Sequence, residues 1–262
     1  MENLNKLRLS LVQTELHWED VEQNIAMFTS LLAPLAGSTD LIILPEMFTT
    51  GFMMQPETQS EPVEGPTLAW MKQQACALDS AICGSIAVEE EGRYFNRFYL
   101  VTPQAQVMSY NKRHLFRMGS EPDHYTAGDE RNVFEYRGWR ILPQVCYDLR
   151  FPVFMRNRND YDLAIFVANW PAARRRVWRT LLEARALENQ CYVAGVNRIG
   201  QDGMNLDYTG DSMMIDYRGS VLMDHESNAG FVETTTITLD HLIQFKDKFP
   251  AWMDGDEFAL QL

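Results

Sequence analysis

Three side chains of complementary chemistry stand where short apolar runs stop: Glu46 after LIILP, Lys112 after VMSYN and Cys146 after RILPQV. A thiol becomes a useful nucleophile when a base or a positive charge raises its thiolate fraction. Glu46 and Lys112 beside Cys146 would supply both. Taken singly, each residue has a plainer use: Glu46 as a surface carboxylate, Lys112 as a solvated cation, Cys146 as a small core residue. Their coincidence at strand-like ends singles them out, because layered α/β proteins assemble sites at strand ends and adjoining loops.

The elements that must position them follow from periodicity. LRLSLVQ at 7–13 alternates as a strand, and residues 20–35 place Val21, Ile25, Phe28, Leu32 and Leu35 on one helical face. LIIL at 41–44 is a buried strand stopped by Pro45, residues 67–79 form a second helix, and strands are expected at 81–88, 93–101 and 107–110. The second half shows the same kind of alternation without repeating the sequence. Strands are expected there at 139–145 and 163–168, a helix at 175–190, a strand at 192–199, and short strands near 212–215, 220–223 and 231–237. Strands alternating with helices argue for an α/β layered fold, here one domain over residues 1–262.

Composition narrows the function. With 36 acidic against 23 basic side chains the chain carries a net charge of −13, which repels phosphate backbones, so nucleic acid is a poor partner. At 46% hydrophobic and 11% aromatic over 262 residues, it can build a substantial core. No signal-peptide pattern opens it and no run reaches the roughly eighteen apolar residues of a membrane span, so a cytoplasmic protein without membrane contact is expected. The four cysteines, Cys76, Cys83, Cys146 and Cys191, lack metal-ligand spacing and read as reduced thiols.

The motifs LPEMF at 44–48, NKRHLF at 111–116, VCYDLRFP at 145–152, ANWP at 168–171 and ARALENQCYVAGVNRIG at 184–200 together resemble the nitrilase superfamily of carbon-nitrogen hydrolases, in particular its omega-amidase branch. The resemblance implies a four-layer αββα sandwich that pairs through its helices into a homodimer or higher homo-oligomer. It implies a Glu46-Lys112-Cys146 triad, with Glu46 moving protons, Cys146 attacking the amide carbon, and Lys112 with the Tyr147 backbone N–H stabilising the oxyanion. No metal or organic cofactor is needed. Glu121 matches the second glutamate that positions the substrate amide in such enzymes, against the plainer reading of a loop acid before Pro122.

Around the triad, Asp148 and Arg150 read as hydrogen-bonded support for the turn after the nucleophile. Arg174-Arg175-Arg176 opens a helix, where cations gain nothing from the dipole. They read as a solvated face, or Arg174 binds a substrate carboxylate. Phe48, Phe52, Met53, Phe116, Tyr147 and Trp170 are candidates for an apolar wall, and Asn169-Trp170-Pro171 for substrate contact, although such aromatics are more often core. The expected partner is a small amide such as 2-oxoglutaramate. A nitrilase, an N-carbamoyl or aliphatic amide hydrolase, and a silent binding protein on the same scaffold remain as alternatives. A glycosidase pair would leave Lys112 and Cys146 idle, and no histidine lies in a context specific enough for a Cys-His hydrolase.

Overall fold

The computed structural model describes residues 5–261, so the residues 1–4 read for a leader lie outside the described residues. Period-two alternation builds two sheets, each buried on both faces. Leu7, Leu9 and Leu11, then Leu41 and Ile43, then Phe98 and Leu100 face one way, and meet Ile141, Val145, Leu163, Ile165, Val167, Ala194 and Val196 from the other sheet in a shared core. Their sequence neighbours point outward onto helices.

The seven-stranded sheet runs Phe231–Thr238, Lys6–Gln13, Leu41–Ile43, Ala81–Glu90, Arg93–Val101, Val107–Asn111, with Glu61–Pro62 paired to Ala81–Glu90. The six-stranded sheet runs Val221–Met223, Met213–Ile215, Tyr192–Asn197, Leu163–Ala168, Trp139–Val145, Phe134–Tyr136. Helices Val21–Leu32 and Pro66–Leu78 cover the first sheet through Phe28, Leu32, Leu68, Met71 and Ala75. Helix Arg175–Asn189 covers the second through Trp178, Leu182 and Ala186. It lies so close that a Cβ on Gly195 would fall 2.5 Å from a Leu182 methyl. The order of layers is therefore αββα, as the resemblance implied.

The structure differs from the sequence expectation at several elements, among them the following. The first helix passes into a 3-10 turn at Ala33–Leu35, because Pro34 cannot donate the next helical hydrogen bond. The strand expected at 192–199 stops at Asn197, and Ile199–Gln201 pairs instead with Asp207–Thr209 in a separate two-stranded ribbon. Leu239–Lys248, beyond the last expected strand, is a helix that buries Leu242. Among the described residues no helix is long and apolar enough to cross a membrane.

Candidate active site

Strands Leu41–Ile43, Val107–Asn111 and Trp139–Val145 end on the same edge of the sandwich and bring Glu46, Lys112 and Cys146 together. Glu46 is fully buried. Its Oε1 accepts from Lys112 Nζ at 3.1 Å and Asn96 Nδ2 at 2.8 Å, and its Oε2 from the Asn169 backbone N–H at 2.7 Å. Asn169 Nδ2 donates in return to the Glu46 carbonyl at 2.6 Å, a reciprocal pair that ties the two sheets at this edge. Lys112 Nζ also donates to both Glu121 oxygens at 2.9 Å, and Glu121 is held by the Phe116 N–H at 2.5 Å. One ammonium thus lies between two buried carboxylates.

The charge states follow. Burial alone would push Lys112 down, but the Glu121 and Glu46 carboxylates more than offset it, so the ammonium is retained well into alkaline pH. Burial raises Glu121 above the usual carboxylate range against the pull of Lys112. The Cys146 thiol is pushed well above its ordinary value by burial and by the Glu46 charge, which together outweigh Lys112. Burial and the Glu46 charge thus oppose the expected rise in thiolate fraction, which Lys112 alone favours.

The turn carrying Cys146 is built around Asp148. Cys146 has a left-handed φ of 46°, a conformation costing a non-glycine residue on the order of 1–3 kcal/mol. Fully buried Asp148 holds it by accepting from the Val145 N–H and the Tyr110 hydroxyl at 2.9 Å, and from the His114 N–H at 2.9 Å. His114 Nδ1 adds a contact at 2.7 Å. Since Tyr110 and His114 flank Lys112, one carboxylate fixes the lysine segment to the cysteine turn.

Cys146 opens into a cavity of about 450 Å³. Lys112, Tyr147, Phe52, Phe116, Asn169, Trp170 and Arg174, all singled out from sequence, line it. Phe48 and Met53 do not: both are fully buried, Phe48 edge-on to Phe28 in the core beneath the first sheet. Arg150 also departs from its expected supporting role. Its guanidinium lines the cavity 5.2 Å from the Trp170 ring, as that of Arg174 does 5.3 Å from the Phe116 ring, and among the described residues neither has a carboxylate partner.

Sequence reading missed Asn96, Trp18, Asp202 and Tyr208. Asn96, a polar residue inside the apolar strand YFNRFYLV, carries a signal in retrospect: a buried strand tolerates an amide only where it has partners. The other three reach the cavity through the 199–209 ribbon and the loop before the first helix, whose sequences show no such mark.

The carbon-nitrogen hydrolase family model matches residues 8–247. The chain belongs to the carbon-nitrogen hydrolase family. It is 46% identical over 257 residues to omega-amidase YafV of Yersinia enterocolitica, covering 98% of this chain and 100% of the relative, and 29% identical over 254 residues to a 2-oxoglutaramate amidase of Bacillus subtilis, covering 95% and 97%. Among solved structures, a CN-hydrolase superfamily protein from Xanthomonas campestris with an arsenic adduct in its active site matches with a TM-score of 0.95 and 49% identity over 98% of this chain and 99% of that one. Saccharomyces cerevisiae Nit3, of the nitrilase superfamily, shares the fold with a TM-score of 0.83 at 20% identity over 94% and 95%. This carbon-nitrogen hydrolase is an enzyme of the amidohydrolase type.

Proposed function

We propose that this hydrolase is an omega-amidase that releases ammonia from a small dicarboxylic monoamide such as 2-oxoglutaramate through a cysteine thioester. The observation that carries the reading is the convergence of Cys146, Glu46 and Lys112 at the base of a cavity whose wall holds two guanidinium groups, Arg150 and Arg174, without an anionic partner. A cavity that holds unpaired cations favours a substrate bearing a carboxylate, because the guanidinium groups offset the cost of desolvating it. The names of the Yersinia and Bacillus relatives support the same class.

Glu46 takes the Cys146 proton as sulfur attacks the amide carbon. The negative charge moves to the carbonyl oxygen, where the Lys112 ammonium and the Tyr147 N–H receive it. Glu46 returns the proton to the amide nitrogen, the C–N bond breaks, and ammonia leaves a thioester. Water then gives a proton to Glu46 and adds to the thioester carbon. Collapse breaks the C–S bond and restores the thiol. Glu121 keeps Lys112 aimed at the oxyanion position.

The test is ammonia release from short dicarboxylic monoamides and their 2-oxo analogues, with matched nitriles and N-carbamoyl amino acids in competition. Preference for the monoamides is expected. Turnover of nitriles with none of the amides would overturn the reading.

A further inference from the structure

The cavity is larger than its proposed substrate requires. About 450 Å³ lies in the range of roughly 300–1,000 Å³ that holds drug-sized ligands, beyond what a five-carbon monoamide fills. The surplus is walled by apolar side chains on rigid supports. Met204 and Leu206 line the cavity although they are 72% and 47% exposed. They are not presented by a slack loop. Asp202 Oδ1 accepts from both of their backbone N–H groups at 2.8 and 2.9 Å, and its Oδ2 accepts the Tyr208 hydroxyl at 2.8 Å.

Beneath that loop lies Trp18, whose indole packs so tightly that a Cβ on Gly203 would fall 2.3 Å from its Nε1. The far edge of the indole meets Gly51, where a Cβ would lie 3.0 Å away, in the segment that follows Glu46. Trp18 and half-buried Met54 pack against one apolar cluster with Met47 and Met53, and line the cavity together with Met204 and Leu206. None of them has a part in proton transfer, oxyanion binding or carboxylate binding.

We infer that Trp18, Met54, Met204 and Leu206 form a second subsite that takes an apolar portion of the substrate's acyl chain, so that the enzyme hydrolyses primary amides carrying an apolar extension as well as small monoamides. The inference rests on the amidase reading of the cavity. The acyl side is assigned because a primary amide has only ammonia on its leaving side, so any extension must be attached to the carbon that Cys146 attacks.

Primary aliphatic amides of two to eight carbons probe the subsite without a carboxylate, and ammonia release gives kcat/KM for each. It should rise with chain length by up to about fourfold per buried methylene, the factor that matches full transfer from water. Met204→Ser and Leu206→Ser, each at an exposed position where folding is not at stake, should flatten that slope and reduce the ratio of the long to the short amide by tenfold or more. A flat or falling series in the wild type, or an unchanged slope in both variants, overturns the inference. So does a gain seen only when the alkyl group is on the amide nitrogen. Because dicarboxylic monoamides are assayed separately, failure of the subsite is distinguishable from failure of the omega-amidase reading.

Discussion

The Asn96 side-chain amide donates to Glu46 at 2.8 Å and reaches Glu121 at 3.4 Å, so a neutral residue from the middle of a strand spans the two carboxylates on either side of Lys112. Removing it leaves both carboxylates short of a buried donor, a loss worth on the order of 1–3 kcal/mol. Asn96→Ala should lower kcat by roughly five- to 150-fold, the equivalent of that energy, with a smaller change in KM. Steady-state kinetics decides it, and an unchanged kcat would mean that Lys112 alone orders the pair.

Cys146→Ala should fold normally and lose hydrolysis by several orders of magnitude, as loss of a covalent nucleophile does. Burial and then Glu46 push the thiol above its ordinary range. Iodoacetamide labelling of Cys146 should therefore still accelerate as pH rises beyond about 8.5, the ordinary thiol value.

Glu46→Gln separates two roles that a simple activity loss would confuse. Removing the carboxylate charge while Lys112 stays lowers the thiol pKa, so Cys146 should alkylate faster at a fixed pH even as turnover falls. Mass mapping of the labelled peptide and ammonia assays on the same sample report both. Normal turnover in this variant would show that Glu46 does not act as the base.

Lys112→Met strands Glu46 and Glu121 in a dry site. Breaking a buried pair by removing one partner costs about 3–5 kcal/mol, and the variant should denature at lower urea. Adding Glu121→Gln should recover much of that stability without recovering turnover, because the oxyanion still lacks its cation. Recovery of activity in the double variant would remove Lys112 from the chemistry.

Arg174→Ala and Arg150→Ala should each raise KM for a dicarboxylic monoamide far more than for a neutral amide of similar length. Equal penalties on both substrates would show that the guanidinium groups only brace Phe116 and Trp170, the rings they rest on.

Much of this molecule is local in its sequence. The apolar run of Leu163–Ala168 and the apolar stripe of Arg175–Asn189 place a strand and the helix that covers it, because each is set by the geometry of its own backbone. The short blocks around Glu46, Lys112 and Cys146 likewise mark a strand end each. What those blocks do not contain is their meeting. Glu46 is tied to Asn169 across 123 residues, Asn96 reaches Glu46 across 50, and Asp148 holds the Lys112 segment from 34 away. Such contacts have no period and no fixed spacing, since they exist only once two sheets pack face to face. Packing also bears on one chemical expectation: a cysteine near a lysine suggests a thiolate, but burial and the Glu46 charge push the thiol the other way. Solvation and the sum of surrounding charges are properties of the assembled interior, and only the tertiary structure decides them.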